Sequence, residues 1–287
     1  MKVINPEVHL WHLPSYNEDP ITALKHIEMC GRLCYQSQDR ITNSSYAGFV
    51  KRIVKSGHYS VLRHSNLVFR TKLRDGIKQQ APDHKYLNTY ADDKYFYVGG
   101  NYQAWYEWYC ERFVQDVNAT EFLDLFTTKA FWLISGLSFG DIWKVCPAEE
   151  IPKALRRYTS YWVTDRAVSH EAVRHTTCDF LQESQRYCAY KDELEFISID
   201  WWAKGTQRVY QTYDHLVNIE YLYQRLLDDG AKPEQARAIL PNCTATRFIM
   251  TSDTAGLDHF FKMRCQPAAY KPVRDLAMKL QELMVGV

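Results

Sequence analysis

Ser169-His170-Glu171-Ala172-Val173-Arg174-His175 runs on through Leu181 into Gln182-Glu183-Ser184-Gln185-Arg186-Tyr187. A cation at a helix end pairs favourably with the helix dipole, but that accounts for only one charge of the set. Burying Glu171, Arg174, His175, Gln182, Glu183, Ser184 and Arg186 so close together is costly unless something anionic offsets them. The stretch therefore reads as a binding segment. Just before it, residues 158–163 are strand-like. Asp165 is a good N-cap for a helix reaching His175, because its carboxylate can accept the free N–H groups of the first turn.

Working outward, helical spacing covers 21–35 after Pro20 and 46–55, with Phe49, Val50, Ile53 and Val54 as the buried stripe of the second helix. Ser56-Gly57 ends that helix. Residues 65–71 alternate like a strand, Leu67, Phe69 and Thr71 against Asn66, Val68 and Arg70. Downstream, 207–229 is a long amphipathic helix whose stripe is Val209, Tyr210, Tyr213, Leu216, Val217 and Tyr221. Pro233 opens a short helix that Leu240-Pro241 closes. Residues 246–251 suit a strand, 257–264 a helix, and Pro272 starts a last helix. Between these, 74–152 reads as an insertion: polar and tyrosine-rich at 85–97, a loop at Gly99-Gly100-Asn101, then helices at 102–116 and 120–137. The expected organisation is a catalytic domain of 1–73 and 153–287 interrupted by a helical insertion at 74–152. The fold class is α/β (α+β), a central sheet flanked by helices, around one principal core.

The formal net charge of +1 on 287 residues gives no global basic field, which disfavours a nucleic-acid backbone binder. A small anion held by local arginines stays compatible. Eight scattered cysteines without CxxC pairs or zinc-ligand spacing read as reduced, mostly buried thiols. His170 and His175 lie on different helix faces, a poor start for a zinc site, and no metal is expected. The opening residues show no signal-peptide apolar core and no stretch is long and apolar enough to span a bilayer. The expectation is a soluble, cytoplasmic protein, in the host cytoplasm if viral, with no nucleic-acid or membrane partner.

Two further clusters stand out: Gly57-His58-Tyr59-Ser60-Val61-Leu62-Arg63-His64, and the pair Arg237 and Arg264. Planar, always-charged arginine suits bidentate contact with phosphate or a carbonyl-edged base. Were Arg174, Arg186, Arg237 and Arg264 to converge, they would suit a nucleoside monophosphate.

Arg174-His175 followed by Ser184-Gln185-Arg186-Tyr187 resembles the signature of the flavin-dependent thymidylate synthases. Lys55-Ser56-Gly57-His58 with Ser60 and His64, Ala236 through Asn242, and His259 through Arg264 with Ala268-Ala269 resemble its flanking blocks. Gly100 through Trp105 looks like a segment of the longer subgroup. The resemblance implies C5 methylation of dUMP to dTMP with FAD, NADPH and methylenetetrahydrofolate. It also implies a homotetramer with shared active sites. Glu171, Arg174, Gln182, Glu183, Ser184, Gln185, Arg186, Arg237 and Arg264 would bind a pyrimidine deoxynucleoside monophosphate. His58, Ser60, Arg174, His175, Thr176, Gln182, Asp253, Ala255 and His259 would meet the flavin. Arg264, Ser184 and His58 would be catalytic, with Arg264 raising electron density at C5.

The pattern is broken in places. Thr176 stands for an arginine, Ala255 for a second, Asp179 for a serine and Arg63 for the glutamate before His64. Those changes weaken the expected grip on a diphosphate more than that on the nucleotide. Two alternatives stay open on this reading: another C5 modification of dUMP or dCMP, such as hydroxymethylation, and a non-catalytic nucleotide-binding homologue without FAD.

Overall fold

The computed structural model describes residues 1–11, 20–113, 143–190, 193–198 and 207–285. Its centre is an antiparallel sheet in the order β2 (Glu7–Trp11), β7 (Arg157–Asp165), β10 (Ala245–Asp253), β8 (Asp179–Gln182). β7 and β10 run side by side along their whole length, from Arg157 opposite Asp253 to Asp165 opposite Ala245. Because side chains alternate across a strand, β10 points Phe248 and Met250 to one face and Ile249 to the other, and all three are buried.

The mixed α/β class is as expected, with helices on both faces of the sheet. Behind it pack α4 (Arg166–Ala172), α7 (Thr254–Arg264) and α8 (Lys271–Leu283), around Trp162, Val168, Phe248, Leu257, Phe260 and Val273. In front lie α1 (Pro20–Leu33) and α2 (Ser45–Lys55), whose Leu24, Ile27, Val50 and Ile53 share a core with Leu181 and Ile249. Where one principal core was expected, the sheet separates two large ones. The stripe of α2 is the expected one, and Ser56 caps it before Gly57 at φ +71°.

The described part of 74–152 holds strands where the sequence suggested polar loop. β4 (Leu87–Ala91) and β5 (Tyr95–Gly100) join β3 (Leu67–Lys72) and β6 (Lys144–Val145) in a second antiparallel sheet, ordered β4-β5-β3-β6. Gly99 and Gly100 are strand residues there, not a loop. At Gly100 a Cβ would lie 2.6 Å from Leu87 Cδ2 and 2.9 Å from the Tyr86 carbonyl, so the missing side chain allows close strand packing. α3 (Tyr102–Phe113) follows. The helix expected at 120–137, and the end of the one expected at 102–116, lie outside the described residues. β1 (Lys2–Ile4) and β9 (Glu195–Ile197) form a small parallel pair.

α5 (Gln207–Asp228) has its expected span but not its expected buried face. Leu216 and Tyr223 are buried, whereas Tyr210, Tyr213, Val217 and Tyr221 are exposed. α6 (Pro233–Ala236) follows. All eight cysteines are free thiols and none is exposed.

Asp165 caps α4 as expected: its Oδ1 accepts from the Val168 N–H at 2.7 Å. Replacing it with alanine is expected to cost about 1 kcal/mol, measured by urea unfolding. The loss should be smaller with Asn, which keeps an acceptor.

Candidate functional site

β7 runs directly into α4, which carries the first half of the site. Arg166 at its start is half-buried, and burial, with Arg237 nearby, pulls its guanidinium down from the ordinary value. Tyr190 and Glu183 lie within electrostatic reach and act the other way. Arg186 approaches Glu234 of α6 at 3.6 Å, which brings it to the segment that continues into Arg237. Arg166 thus lies within electrostatic reach of Arg237 and of Glu183, the residue before the Ser184-Gln185-Arg186 turn. Gln182 links this turn to the middle of α4, its Nε2 donating to Ser169 Oγ at 2.9 Å and to Thr246 Oγ1 at 3.1 Å.

That turn is held from behind. The Ser184 N–H donates to the Cys34 carbonyl at 3.0 Å. Glu183 faces the interior, its Oε1 accepting from Tyr190 Oη at 2.6 Å and Gln36 Nε2 at 2.8 Å. Arg247 approaches its other oxygen at 3.6 Å. Burial pushes the Glu183 carboxyl up. Gln36 supplies its amide from a left-handed backbone, φ +47°, an uncommon conformation for a residue with a side chain. Glu183 thus braces the turn from inside, while Gln185 is buried beside it.

The second half lies at the other end of α4. Arg264, at the end of α7, donates from Nε to His175 Nε2 at 2.8 Å, from Nη1 to Glu171 Oε2 at 2.6 Å, and from Nη2 to the Glu171 carbonyl at 2.6 Å. A ring nitrogen that accepts from a guanidinium cannot carry a proton, so His175 is neutral with its hydrogen on Nδ1. Burial and the Arg264 charge lower its pKa to about 4. Arg174 shares the same carboxylate, 3.6 Å from Glu171 Oε1, with its side chain 72% exposed. His259 packs its ring 5.8 Å from His175. Of the four expected arginines, Arg174 and Arg264 share the Glu171 carboxylate, while Arg186 meets Glu234 and Arg237 lies within electrostatic reach of Arg166.

The remaining residues expected on the flavin side meet where β7 and β8 start and β10 ends. Asp253 caps α7, accepting from the Gly256 N–H at 2.8 Å. A Cβ on Gly256 would lie 2.8 Å from the Thr177 carbonyl, so glycine lets α7 sit against the Thr176-Thr177 loop. Thr176 and Ala255 are exposed. His58 and Ser60 are exposed on and beside the 3-10 turn Tyr59–Arg63, which Arg63 ties to the same end of the sheet.

Two departures from the family pattern face one another. Arg63 Nη1 lies 3.8 Å from Asp179 Oδ1, and Arg157 Nη2 donates to Asp179 Oδ2 at 2.5 Å. The added carboxylate is neutralised within the chain.

Sequence reasoning missed Arg166, Arg157, Gln36 and Tyr190. Arg166 reads only as the first residue of a helix, and no local pattern marks it.

A family model described as Thy1, thymidylate synthase complementing protein, matches residues 18–103 and 156–287. That is most of the chain, and it takes in the blocks described above apart from Ala104-Trp105. The chain belongs to the Thy1 family. Among curated relatives, the flavin-dependent thymidylate synthase of Geobacter sulfurreducens is 33% identical over 123 residues, covering 42% of this chain and 53% of the relative. The flavin-dependent thymidylate synthase of Pyrococcus furiosus is 31% identical over 122 residues, 42% of this chain and 50% of the relative. The chain spans about half the length of the curated relatives it matches. Within the Thy1 match, the unmatched stretch 104–155 holds most of α3 and β6.

Proposed function

We propose that this chain binds a pyrimidine deoxynucleoside monophosphate along α4 and acts in thymidylate synthesis, converting dUMP to dTMP with methylenetetrahydrofolate, FAD and NADPH. The observation that carries the reading is the placement of guanidinium groups at both ends of one short helix. Arg166, Arg186 and Arg237 would take the phosphate, with Ser184 and Gln185 on the same turn. Arg166 and Glu171 are about 7–8 Å apart along the helix axis, a span one mononucleotide bridges.

At the far end, three of Arg264's five N–H groups are committed to Glu171 and His175. The other two, without a partner among the described residues, would serve the carbonyl edge of the base. A guanidinium fixed in this way stabilises negative charge that develops on the ring without having to reorient, and so favours the electron-rich C5 that attacks a one-carbon unit. The chain's residues are consistent in kind with a flavin. Arg174, His58, Ser60, Thr176 and His259 are exposed polar groups, and among the described residues the Arg174 guanidinium is held by one long ion pair. Bound there, reduced flavin would supply the hydride and relay the one-carbon unit. A homotetramer with shared sites is part of this reading, and the exposed stripe of Tyr210, Tyr213, Val217 and Tyr221 supports it.

Isothermal calorimetry of the purified chain with dUMP tests the reading. No heat with any pyrimidine monophosphate would refute it. Mass spectrometry of products from dUMP and dCMP, with both co-substrates present, separates methylation from hydroxymethylation. Arg166→Ala is expected to raise the dUMP Kd about tenfold or more, the scale of one charged hydrogen bond, with an unchanged circular dichroism spectrum.

A further inference from the structure

The strand ends opposite Arg166 hold a charge cluster that the nucleotide reading leaves unused. Asp179 opens β8 and Arg157 opens β7, while Arg63 comes from the 3-10 turn in front of the sheet. Their chemistry is that of two guanidiniums sharing one carboxylate. Arg157 donates to Asp179 Oδ2 and also, at 3.4 Å, to the Arg63 carbonyl. Arg63 donates from Nε to Gln103 Oε1 at 2.7 Å and lies over the Tyr86 ring, 6.0 Å from its centroid. Its contact with Asp179, at 3.8 Å, is the looser of the two, and its side chain is 39% exposed. Arg157 Nε is buried, with no hydrogen-bond partner among the described residues. The trio keeps one positive charge in excess, on the more accessible arginine.

Thr176, Ala255 and Asp253 lie at this same end, because Asp253 pairs with Arg157 and Thr251 with Asp179 across the sheet. Two planar forks aimed at one dianion-like partner is the arrangement that binds phosphate. Here a side chain takes the anion's place.

We propose that Asp179 is a built-in counter-anion that sets how strongly this end of the sheet holds a diphosphate-bearing ligand, with Arg63 and Arg157 as the phosphate seat. Asp179 competes with the ligand for both guanidiniums, so the chain binds a diphosphate weakly by default. The proposal deepens the flavin side of the function proposed above and rests on it for the cofactor's identity, although phosphate binding by the trio stands alone.

Binding of inorganic pyrophosphate by calorimetry, and of FAD by flavin fluorescence quenching, tests it on the full chain. Asp179→Asn removes the charge and keeps the shape, and should tighten both ligands about tenfold, the scale of one charge-assisted hydrogen bond. Arg63→Gln leaves the closer Arg157–Asp179 pair in place and so should fold. It is expected to weaken both ligands by a similar factor, and to cancel the gain when combined with Asp179→Asn. If pyrophosphate tightens and FAD does not, the seat serves a different diphosphate ligand. Unchanged pyrophosphate affinity in Arg63→Gln overturns the proposal even if Asp179→Asn fails to fold. Titration with dUMP in parallel keeps the readings apart: normal dUMP binding with no effect at Arg63 or Asp179 removes this inference and leaves the nucleotide site standing.

Discussion

Between pH 6.5 and 4 the protein should lose several kcal/mol of stability, because histidines buried without charge must take up protons on unfolding. His64 is completely buried, its Nδ1 2.8 Å from Thr251 Oγ1, which in turn lies 2.7 Å from Thr159 Oγ1. Burial holds its pKa well below 6.5, and His26, Arg157 and Arg63 push the same way. His26, 7% exposed and in contact with Cys30 Sγ through Nε2, is lowered to about 4 by burial. For both groups the folded pKa lies below the unfolded one, so the unfolded chain binds more protons. Stability is therefore fully present above pH 6.5 and falls as pH drops toward 4. Each such histidine contributes a slope of about 1.4 kcal/mol per pH unit. Glu183 and Asp165, whose carboxyls are raised by burial, run the other way, but they are two groups against His26, His64 and His175. Urea unfolding at a series of pH values checks this, and His26→Gln should flatten the curve by roughly one histidine's share. A stability that stays level down to pH 5 contradicts it.

Replacing Arg264 with lysine should leave dUMP binding within a few-fold but reduce dTMP formation by about 10²–10³, the scale for losing one preorganised donor to a developing anion. An ammonium can reach Glu171, but it cannot also donate to His175 and present two parallel N–H groups to a base edge. Its charge is retained, so the loss should fall on kcat more than on KM. Glu171→Gln keeps an acceptor for Nη1 and should cost less than Glu171→Ala. Equal losses in both Glu171 variants would show that the carboxylate does more than orient the arginine. Steady-state NADPH oxidation with product analysis reads both effects, and an undiminished kcat in Arg264→Lys would take the ring-activating role away from this residue.

Local signals in the sequence were legible where a single element decides the outcome. The α2 stripe, the Asp165 cap and the Pro272 start followed from spacing and side-chain chemistry. The α5 stripe did not, because periodicity shows which residues share a face and not what covers that face. The tyrosines at 210, 213 and 221 are exposed on the single chain. β4 and β5 escaped notice because polar, tyrosine-rich residues on an outer strand mimic a loop, and Gly99-Gly100 mimics a turn. In the site, the signature residues stood out as types, but their partners did not. Nothing in the local pattern ties Arg264 to Glu171, or turns Glu183 inward to Gln36 and Tyr190. Those contacts are set by how β8, α1 and α7 pack on the sheet.

β7 also acts as a ruler. Arg157 stands at its first position and Arg166 just past its last, and at about 3.4 Å per residue the strand spaces those backbones nearly 30 Å apart. No mononucleotide reaches from one basic end to the other. Whatever engages both must be either two separate molecules or one elongated ligand laid along the strand.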